Sequence, residues 1–393
     1  MAGALDGIRV LELARYQAGP RGGMILSDLG AEVIKIEKLG GEETRKSEPL
    51  VRGQSVYFSV YNRGKKSLCL DMRTERGKEI FAALVPTADI VLQNFRPGVM
   101  EKMGFGYERL RELKPDIILC SVSGFGQYGP YRDRPAFDPL GQAMSGLMSL
   151  TGAPVGTPLG AATSLVDRYT SLHATIGTLA ALRHRDKTGE GQVVDCCLLD
   201  SGFTMVEIPL SYYLATGQEG GEGGRPPYKA KDGHVVISAS GRAMATKLMQ
   251  IATGDDAAGA EGFTSRVGAG DARKQAVAKW CAENTVDHIV STLLAAEIPV
   301  APVKTIPQAA QDPHPWERRA LVEVPDFLAG TIAVSGDFWH FSRTPAVVGS
   351  TPKVGEHNEE VLGGLLGYSK DEIAKFYADG VIGTADHYDT VPG

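Results

Sequence analysis

The stretch LDGIRVLELARYQAGPRGGMILSDLGAEVIKIE, from Leu5 to Glu37, decides the fold of this chain. Within it, residues 8–13 form a short apolar run that is typical of a buried parallel strand. A helical pattern follows over residues 20–29, and Gly30 ends it, as glycine often does just past a helix C-terminus. Residues 31–37 have the pattern of a second strand. The stretch therefore predicts a βαβ unit, which requires a parallel sheet.

The same alternation continues beyond this unit. Further strands are predicted at 67–71, 90–93, 117–121 and 192–199, and helices at 75–84, 107–113 and 170–184. Strands that alternate with helices in this way predict an α/β fold, in which helices cover a parallel sheet.

The composition changes at residues 217–224, where five of the eight residues are glycine, and this predicts a loop or linker. The next segment has its own strand and helices, at 234–240, 242–251, 271–283 and 286–295. The tail returns to helix at 359–366 and 370–378, and Ser369 with Glu372 forms a capping box for the second helix. We therefore expect a large domain (1–200 and 325–393), a glycine-rich linker or loop (201–225) and a small α/β domain (226–324).

The composition argues against several classes of protein. A net charge of −6 over 393 residues gives no bulk attraction to nucleic acid. No apolar run reaches the roughly 18 residues that a membrane span needs, and no secretory signal is visible at the start of the sequence. Five cysteines without C-x-x-C spacing and eight scattered histidines favour reduced thiols and no metal site. We expect a cytoplasmic protein that binds neither nucleic acid nor membrane.

One glycine motif resembles a nucleotide-binding loop without its context. Gly124, Gly126 and Gly129 match the G-x-G-x-x-G pattern and follow a predicted strand. However, Pro130 and Pro135 come next, and no amphipathic helix begins there. The phosphate-binding version needs a helix N-terminus at this point, so a plain turn is the better interpretation.

The loop after the first strand, residues 14–21, is a candidate binding site. In open parallel sheets, ligands bind beyond the carboxyl ends of the strands and near helix N-termini. Gln17 offers both an amide donor and an acceptor at this place. An ordinary loop with a solvent-facing glutamine is the alternative, and the spacing alone favours it.

Asp167 lies three residues before Thr170, at the start of the helix predicted for 170–184. Local pattern favours an N-capping aspartate, which free N–H groups and the helix dipole stabilise. The other interpretation is a carboxylate nucleophile. With an ordinary pKa of about 3.9, an aspartate is ionised at neutral pH and needs no partner base to attack a thioester.

Seven segments together resemble the class III CoA-transferases, the formyl-CoA-type or CaiB/BaiF family. They occur in the family's order and spacing: LDGIRVLELARYQAGP (5–20), LGAEVIKIEK (29–38), NRGKKSLCLDM (62–72), LQNFRPGVMEKMGFGYERL (92–110), SGFGQYGP (123–130), HRDKTGEGQVVD (184–195) and TPKVGEHNEEVLGGLLGYSKDEI (351–373). The resemblance implies an interlocked homodimer. Each chain would have a Rossmann-like large domain, made from both ends of the sequence, and a small inserted domain.

The resemblance also implies a reaction. CoA would move from an acyl-CoA donor to a carboxylic acid, with CoA thioesters as substrates and no metal. Asp167 matches the family's catalytic aspartate, which carries the acyl group covalently, and Gln17 matches its active-site glutamine.

The positions that match the family's CoA contacts lie in several loops. They are Gln17, Ala18, Lys38, Leu70, Arg73, Asn94, Phe95, Arg96, Lys102, Arg134 and Phe137. Lys38 and Lys102 stand where the formyl-CoA enzymes carry arginine, which keeps the charge but loses the bidentate phosphate fork. The family's glycine loop matches Gly220, Gly221, Gly223 and Gly224, although Glu219 and Glu222 interrupt its glycine run.

Phe137 distinguishes two branches of the family. Related α-methylacyl-CoA racemases add a histidine in the segment matching 134–138, and it forms a two-base pair with the aspartate. A phenylalanine cannot accept a proton, so Phe137 disfavours this alternative function.

Basic residues near the predicted site bear on the substrate. Arg15, Arg21 and Arg168, together with Tyr16, suit an acid with a second carboxylate. We therefore favour a dicarboxylate such as succinate, with succinyl-CoA as donor. The alternative is that these arginines bind CoA phosphates or form surface ion pairs.

Overall fold

The structure is a computed structural model that describes residues 3–152, 156–220, 226–255, 271–336 and 338–385. By contacts between Cα atoms, the described residues divide into two compact units. A large unit combines both ends of the chain, within 1–222 and 314–393, and a small unit lies within 223–313.

The described elements alternate between strand and helix through the first half of the chain. The strands are β1 (Arg9–Glu12), β2 (Glu32–Glu37), β3 (Leu50–Val51), β4 (Gln54–Ser55), β5 (Lys66–Cys69), β6 (Ile90–Gln93), β7 (Ile118–Ser123), β8 (Val193–Cys197), β9 (Tyr228–Lys229), β10 (His234–Ile237), β11 (Val300–Pro302), β12 (Leu321–Asp326) and β13 (Gly330–Ser335). The helices are α1 (Ala18–Asp28), α2 (Val56–Asn62), α3 (Glu75–Leu84), α4 (Val99–Lys102), α5 (Tyr107–Leu113), α6 (Asp138–Met144), α7 (Leu147–Gly152), α8 (Leu165–Thr188), α9 (Leu198–Thr204), α10 (Glu207–Thr216), α11 (Arg242–Thr253), α12 (Asp271–Ala282), α13 (Val286–Ala295), α14 (Ile306–Ala310), α15 (Pro313–Glu317) and α16 (Lys370–Ala378). Single turns of 3₁₀ helix lie at Glu43–Lys46 and Val85–Thr87, and a π-helical turn lies at Glu360–Leu365.

The large unit is built on a six-stranded parallel sheet in the order β5-β2-β1-β6-β7-β8. Val10 of β1 lies opposite Val33 of β2 on one side and Ile90 of β6 on the other. This confirms the predicted α/β class with a parallel sheet. The strand order reverses direction between β1 and β6, and such a switch point is where open sheets bind ligands.

Both faces of the sheet are covered. Val10 packs into one apolar cluster and the next residue, Leu11, into another, because successive strand side chains point to opposite faces. The second cluster also contains Leu362 and Phe376 from the tail. The C-terminal segment is therefore part of the core of the large unit.

The segment leading to α8 differs from its prediction. The helix begins at Leu165 rather than at 170, with Ser164 as the N-cap, so Asp167 lies within the first turn. The prediction that Asp167 caps the helix is therefore wrong. Val166 is fully buried in the core, and this packing extends the helix beyond what the local pattern indicates.

The segment 201–225 is only partly a loop. Helices α9 and α10 occupy most of it, and the loop starts at Gly217, whose φ of 71° ends α10. The linker prediction is thus wrong for residues up to 216. A second difference is the hairpin β12–β13, which the sequence analysis missed because its alternation is interrupted by Pro325.

The small unit has an antiparallel sheet in the order β11-β10-β9, with α11, α12 and α13 packed against it. Val235, Ile289 and Leu293 are fully buried in its core. In the tail, Ser369 and Glu372 make the predicted capping box at the start of α16.

Two features are absent from the part of the chain that the structure describes. None of the helices there combines the length and apolar character needed to cross a membrane. Nor does that part of the chain hold three or more His, Cys, Asp or Glu residues grouped so as to bind a metal ion.

We predict that Arg63→Met strongly destabilises the large unit. Arg63 is fully buried and forms a two-pronged ion pair with Asp28, and it also donates to the Ser335 carbonyl at 2.8 Å. Loss of the guanidinium leaves a buried carboxylate without this partner, which costs about 3–5 kcal/mol. Urea denaturation followed by circular dichroism measures the loss.

The control for this change is Arg109→Met. Arg109 pairs with Glu112 on the surface of α5, and such pairs contribute less than about 1 kcal/mol. Equal losses of stability in the two variants would contradict the assignment of the Arg63 pair as a core contact.

Candidate active site

At the switch point of the sheet, the side chain of Asn94, which follows β6, binds the loop that follows β1. The Arg15 backbone N–H donates to Asn94 Oδ1 at 2.8 Å, and Asn94 Nδ2 donates to the Arg15 carbonyl at 2.6 Å. Both polar groups of this side chain therefore bind the β1–α1 loop (residues 13–17). Asn94 was predicted to contact CoA, and in the structure its amide shapes the loop beside that site.

Three buried charged side chains, Glu12, Lys35 and Lys65, also stabilise this loop. Lys35 Nζ donates to Glu12 at 3.1 Å and to the Ala14 carbonyl at 2.8 Å. Lys65 Nζ donates to Glu12 at 2.8 Å and to the Pro20 carbonyl at 2.8 Å. All three charged side chains are essentially inaccessible to solvent, and burial lowers the pKa of Lys65 to about 8 against the opposing Glu12 charge. The two lysines thus connect Ala14 of the loop and Pro20 of α1 to one carboxylate.

Gln17 lies at the end of this loop and is buried, not solvent-facing. Its predecessor Tyr16 has a φ of 65°, a left-handed conformation that is uncommon for a residue with a side chain. The Gln17 Nε2 group donates to the Ser164 carbonyl at 3.3 Å. This contact joins the β1–α1 loop to the N-cap of α8, so the structure brings Gln17 and the helix of Asp167 together.

The Asp167 carboxylate is half-buried and, among the described residues, accepts no hydrogen bond. Burial is the main cause that raises its pKa to about 7, the negative charge of Asp138 adds to the effect, and the Arg168 guanidinium opposes it. The expectation that this carboxylate has an ordinary pKa and is fully ionised at neutral pH is therefore wrong. Near neutral pH the group is divided between its charged and uncharged forms.

Asp138 is a site residue that the sequence analysis missed. It begins α6 directly after Phe137, is almost fully buried, and accepts the backbone N–H of Asp167 at 3.0 Å. In the sequence, an aspartate followed by Pro139 indicates only a helix start. The two aspartates are 29 positions apart in sequence, so no local signal indicates their contact.

Two tyrosines and two arginines lie near Asp167 or its neighbour Arg168. Arg168 donates to the Tyr61 hydroxyl at 3.4 Å, and Arg21 donates to the Arg168 carbonyl at 3.2 Å. Tyr57 packs edge-on against Tyr61, with ring centres 5.1 Å apart. Burial is the main cause that raises the pKa of Tyr57, and the charge of Asp167 contributes. The tyrosines were missed because helix α2 was not predicted.

Phe137 lies at the same site. Its ring packs edge-on against Tyr16, with centres 5.7 Å apart, and it is 60% exposed. The aromatic position therefore faces the β1–α1 loop, and it carries no group that accepts a proton.

The other predicted CoA contacts fall into two groups. Near the β1–α1 loop, Arg15 lies over the Phe95 ring at 5.5 Å, and both Arg15 and Lys38 pair with Glu43. Ala18 is buried in the first turn of α1. These positions share one edge of the sheet.

The second group is spread over the surface. Arg73 is exposed and paired with Asp71, Arg134 stacks on Tyr131 at 3.8 Å, and Arg96 and Lys102 are exposed. Leu70 is buried and forms an isolated β-bridge with Ile382. Gly220 is exposed, whereas Gly221, Gly223 and Gly224 lie outside the described residues.

We predict that Asp167→Asn stabilises the protein, and more so at pH 8 than at pH 5. The pKa of this carboxyl is about 7 when folded and about 3.9 in an unfolded chain, so the fold loses stability as pH rises between these values. The asparagine variant escapes that loss. Thermal unfolding at both pH values measures the difference, and Asp186→Asn, at the exposed far end of α8, is the control. A gain in Tm that is equal at the two pH values would contradict the raised pKa.

The whole chain is similar to known proteins of one family. The sequence model of CoA-transferase family III matches residues 5–358. The succinyl-CoA–D-citramalate CoA-transferase of Chloroflexus aurantiacus is 35% identical over 96% of this chain and 98% of its own length. The succinyl-CoA:mesaconate CoA-transferase of Haloarcula hispanica is 36% identical over 92% and 96%.

Solved structures agree with the sequence relatives. A CAIB/BAIF family protein from Brucella suis has a TM-score of 0.83 with 32% identity, over 93% of this chain and 100% of that one. The resemblance in sequence motifs is thus confirmed along nearly the whole length. The chain belongs to CoA-transferase family III and is a transferase.

Proposed function

We propose that this protein transfers CoA from an acyl-CoA donor to a carboxylic acid through a covalent acyl group on Asp167. The observation that carries the proposal is the state of the Asp167 carboxylate. It is half-buried, accepts no hydrogen bond within the described ranges, and lies in the first turn of a helix that buried Gln17 contacts. A nucleophile needs oxygen lone pairs that are not already engaged.

The first half of the reaction loads the enzyme. Ionised Asp167 attacks the thioester carbonyl, and the carbon–sulfur bond breaks. The CoA thiolate departs, and a mixed anhydride between Asp167 and the acyl group remains. The thiolate then attacks the aspartyl carbonyl and releases the donor acid as a carboxylate. An aspartyl-CoA thioester remains.

The second half repeats these steps in reverse with the acceptor. The acceptor carboxylate displaces the thiolate and forms a new anhydride. The thiolate attacks the acceptor's acyl carbon, which gives the new acyl-CoA and restores the Asp167 carboxylate. Every step exchanges one carboxylate or thiolate for another, so no net proton or electron is consumed.

Gln17 has a second amide proton besides the one donated to Ser164. That proton can stabilise the oxyanions formed at each attack, and one such donor contributes about 3–4 kcal/mol. The buried position of Gln17 strengthens the effect, because little solvent screens it.

A dicarboxylate fits the charges beside Asp167. The guanidinium of Arg168 is near enough to act on the Asp167 carboxyl and is exposed to solvent, so a second carboxylate of the substrate can pair with it. Relatives are named for succinyl-CoA with citramalate or mesaconate. We therefore propose succinyl-CoA as donor and a dicarboxylic acid as acceptor, in a homodimer that binds CoA near Lys38, Arg73, Phe95 and Lys102.

We predict that succinyl-CoA followed by hydroxylamine labels Asp167, as read by peptide mass spectrometry. Asp167→Asn should lose the label and at least about a thousandfold in CoA exchange, while it still binds CoA. Asp186→Asn, on the far end of the same helix, should keep both activities.

A label on another residue, or full exchange by Asp167→Asn, would contradict the covalent role. The racemase alternative has a separate readout. Incorporation of deuterium at the α-carbon of an acyl-CoA in heavy water, without an acceptor acid, would support that function instead.

We predict that Arg168→Gln raises the KM for succinate by about 10–100-fold, because a charge-assisted hydrogen bond contributes roughly 1.5–3 kcal/mol. Butyrate lacks the second carboxylate, so its KM should hardly change. Arg183→Gln, an exposed arginine later in α8, is the matched control. A similar rise for both acids would show that Arg168 does not select dicarboxylates.

A further inference from the structure

We propose that Asp138 is a positioning residue that holds the backbone of Asp167 and, by its own negative charge, favours conversion of the Asp167 carboxylate into uncharged acyl forms. The proposal rests on the proposed covalent role of Asp167. It assigns a role to the buried Asp138 carboxylate, which takes no part in the chemical steps above.

Both oxygens of Asp138 are engaged as acceptors. Oδ1 accepts the Asp167 backbone N–H at 3.0 Å, and Oδ2 accepts Gln142 Nε2 at 2.5 Å. Asp138 and Gln142 are only 3% and 2% exposed. These two hydrogen bonds fix the Asp138 carboxylate beside the half-buried Asp167, and its negative charge acts on the Asp167 carboxyl.

Gln142 connects Asp138 to the segment that precedes α8. Its Oε1 accepts the Ala161 backbone N–H at 2.8 Å, three residues before the N-cap Ser164. The Ser164 carbonyl in turn accepts from Gln17. The beginning of α8 is therefore held before, at and after its N-cap, and this fixes the place of Asp167.

The charges that face Asp167 come from three helices. Asp138 from α6 is negative, Arg168 from α8 itself is positive, and Tyr57 from α2 is neutral at physiological pH, since its pKa is raised. Arg168 opposes the effect of Asp138 but is exposed to solvent, which screens it. Asp138 is buried, so its repulsion is screened less.

This repulsion changes during the reaction. Two carboxylates face each other while Asp167 is ionised, but only one remains when Asp167 becomes an anhydride or a thioester. Asp138 thus raises the free energy of the resting carboxylate relative to both acyl forms. The same effect predicts how the rate of acylation depends on pH.

Asp138→Asn tests the charge and keeps an oxygen for the Asp167 N–H. The measurement is the rate of hydroxylamine-trappable adduct formation from succinyl-CoA in a single turnover. In the wild type this rate should fall about tenfold between pH 8 and pH 6, because the reacting group has a pKa of about 7. In Asp138→Asn the fall should be clearly less than tenfold, because loss of the Asp138 charge moves the acid limb to lower pH.

Gln142→Met is the matched control, since it removes the hydrogen bonds of the Gln142 amide but leaves the carboxylate of Asp138 in place. It should slow adduct formation and retain the tenfold pH dependence. If Asp138→Asn also retains that dependence, Asp138 is only a structural clamp and the proposal is overturned. Thermal unfolding checks that each variant is folded, and Asp138→Ser, whose hydroxyl also accepts an N–H, replaces the asparagine variant if that one is not.

The test separates this inference from the proposed function. If the wild type forms no adduct on Asp167, the covalent mechanism fails and the role of Asp138 fails with it. If the adduct forms but its pH dependence is the same in both forms of residue 138, only the present inference fails.

Discussion

The arrangement of the site depends on one buried carboxylate, that of Glu12 at the end of the central strand. Lys35 and Lys65 both pair with this carboxylate. Lys35 also donates to the Ala14 carbonyl in the β1–α1 loop, and Lys65 donates to the Pro20 carbonyl in α1. Desolvating these charges costs several kcal/mol each, and the attraction repays the cost only in this geometry. The loop is therefore held in one conformation, which places Gln17 against the N-cap of α8 and hence next to Asp167.

The parallel sheet and most of its helices follow from sequence, because apolar runs and turns are local signals. Helix α3 and strand β6 have the predicted ends. The site follows only in part. Asp167 and Gln17 were identified through motif resemblance, whereas Asp138 was missed because contacts between residues far apart in sequence leave no local pattern. The predicted start of α8 was wrong for a similar reason. Burial of Val166 extends the helix, and the local capping pattern at Asp167 does not indicate that burial.

The environment of Asp167 favours reactivity at the expense of stability. An N-capping aspartate would be stabilised by hydrogen bonds and would be a poor nucleophile. Here the carboxylate lies inside the first turn, is partly desolvated and faces another carboxylate, so its pKa rises to about 7. Its own backbone N–H is engaged with Asp138 instead. Burial and repulsion both destabilise the ionised carboxylate, and a less stable carboxylate favours the acyl transfer proposed for it.

The packing of Phe137 limits the chemistry that this aspartate can perform. Two-base racemisation at an α-carbon needs bases on opposite faces of the substrate, and the ring of Phe137 lies beside Tyr16 with no proton acceptor of its own. The residue that follows it does carry a carboxylate. However, Asp138 is almost fully buried and both its oxygens accept hydrogen bonds from the protein, so its carboxylate is not available to a substrate. A neighbouring charge without access to substrate alters the energy of the proposed nucleophile, which agrees with the proposed acyl transfer rather than with proton transfer at this site.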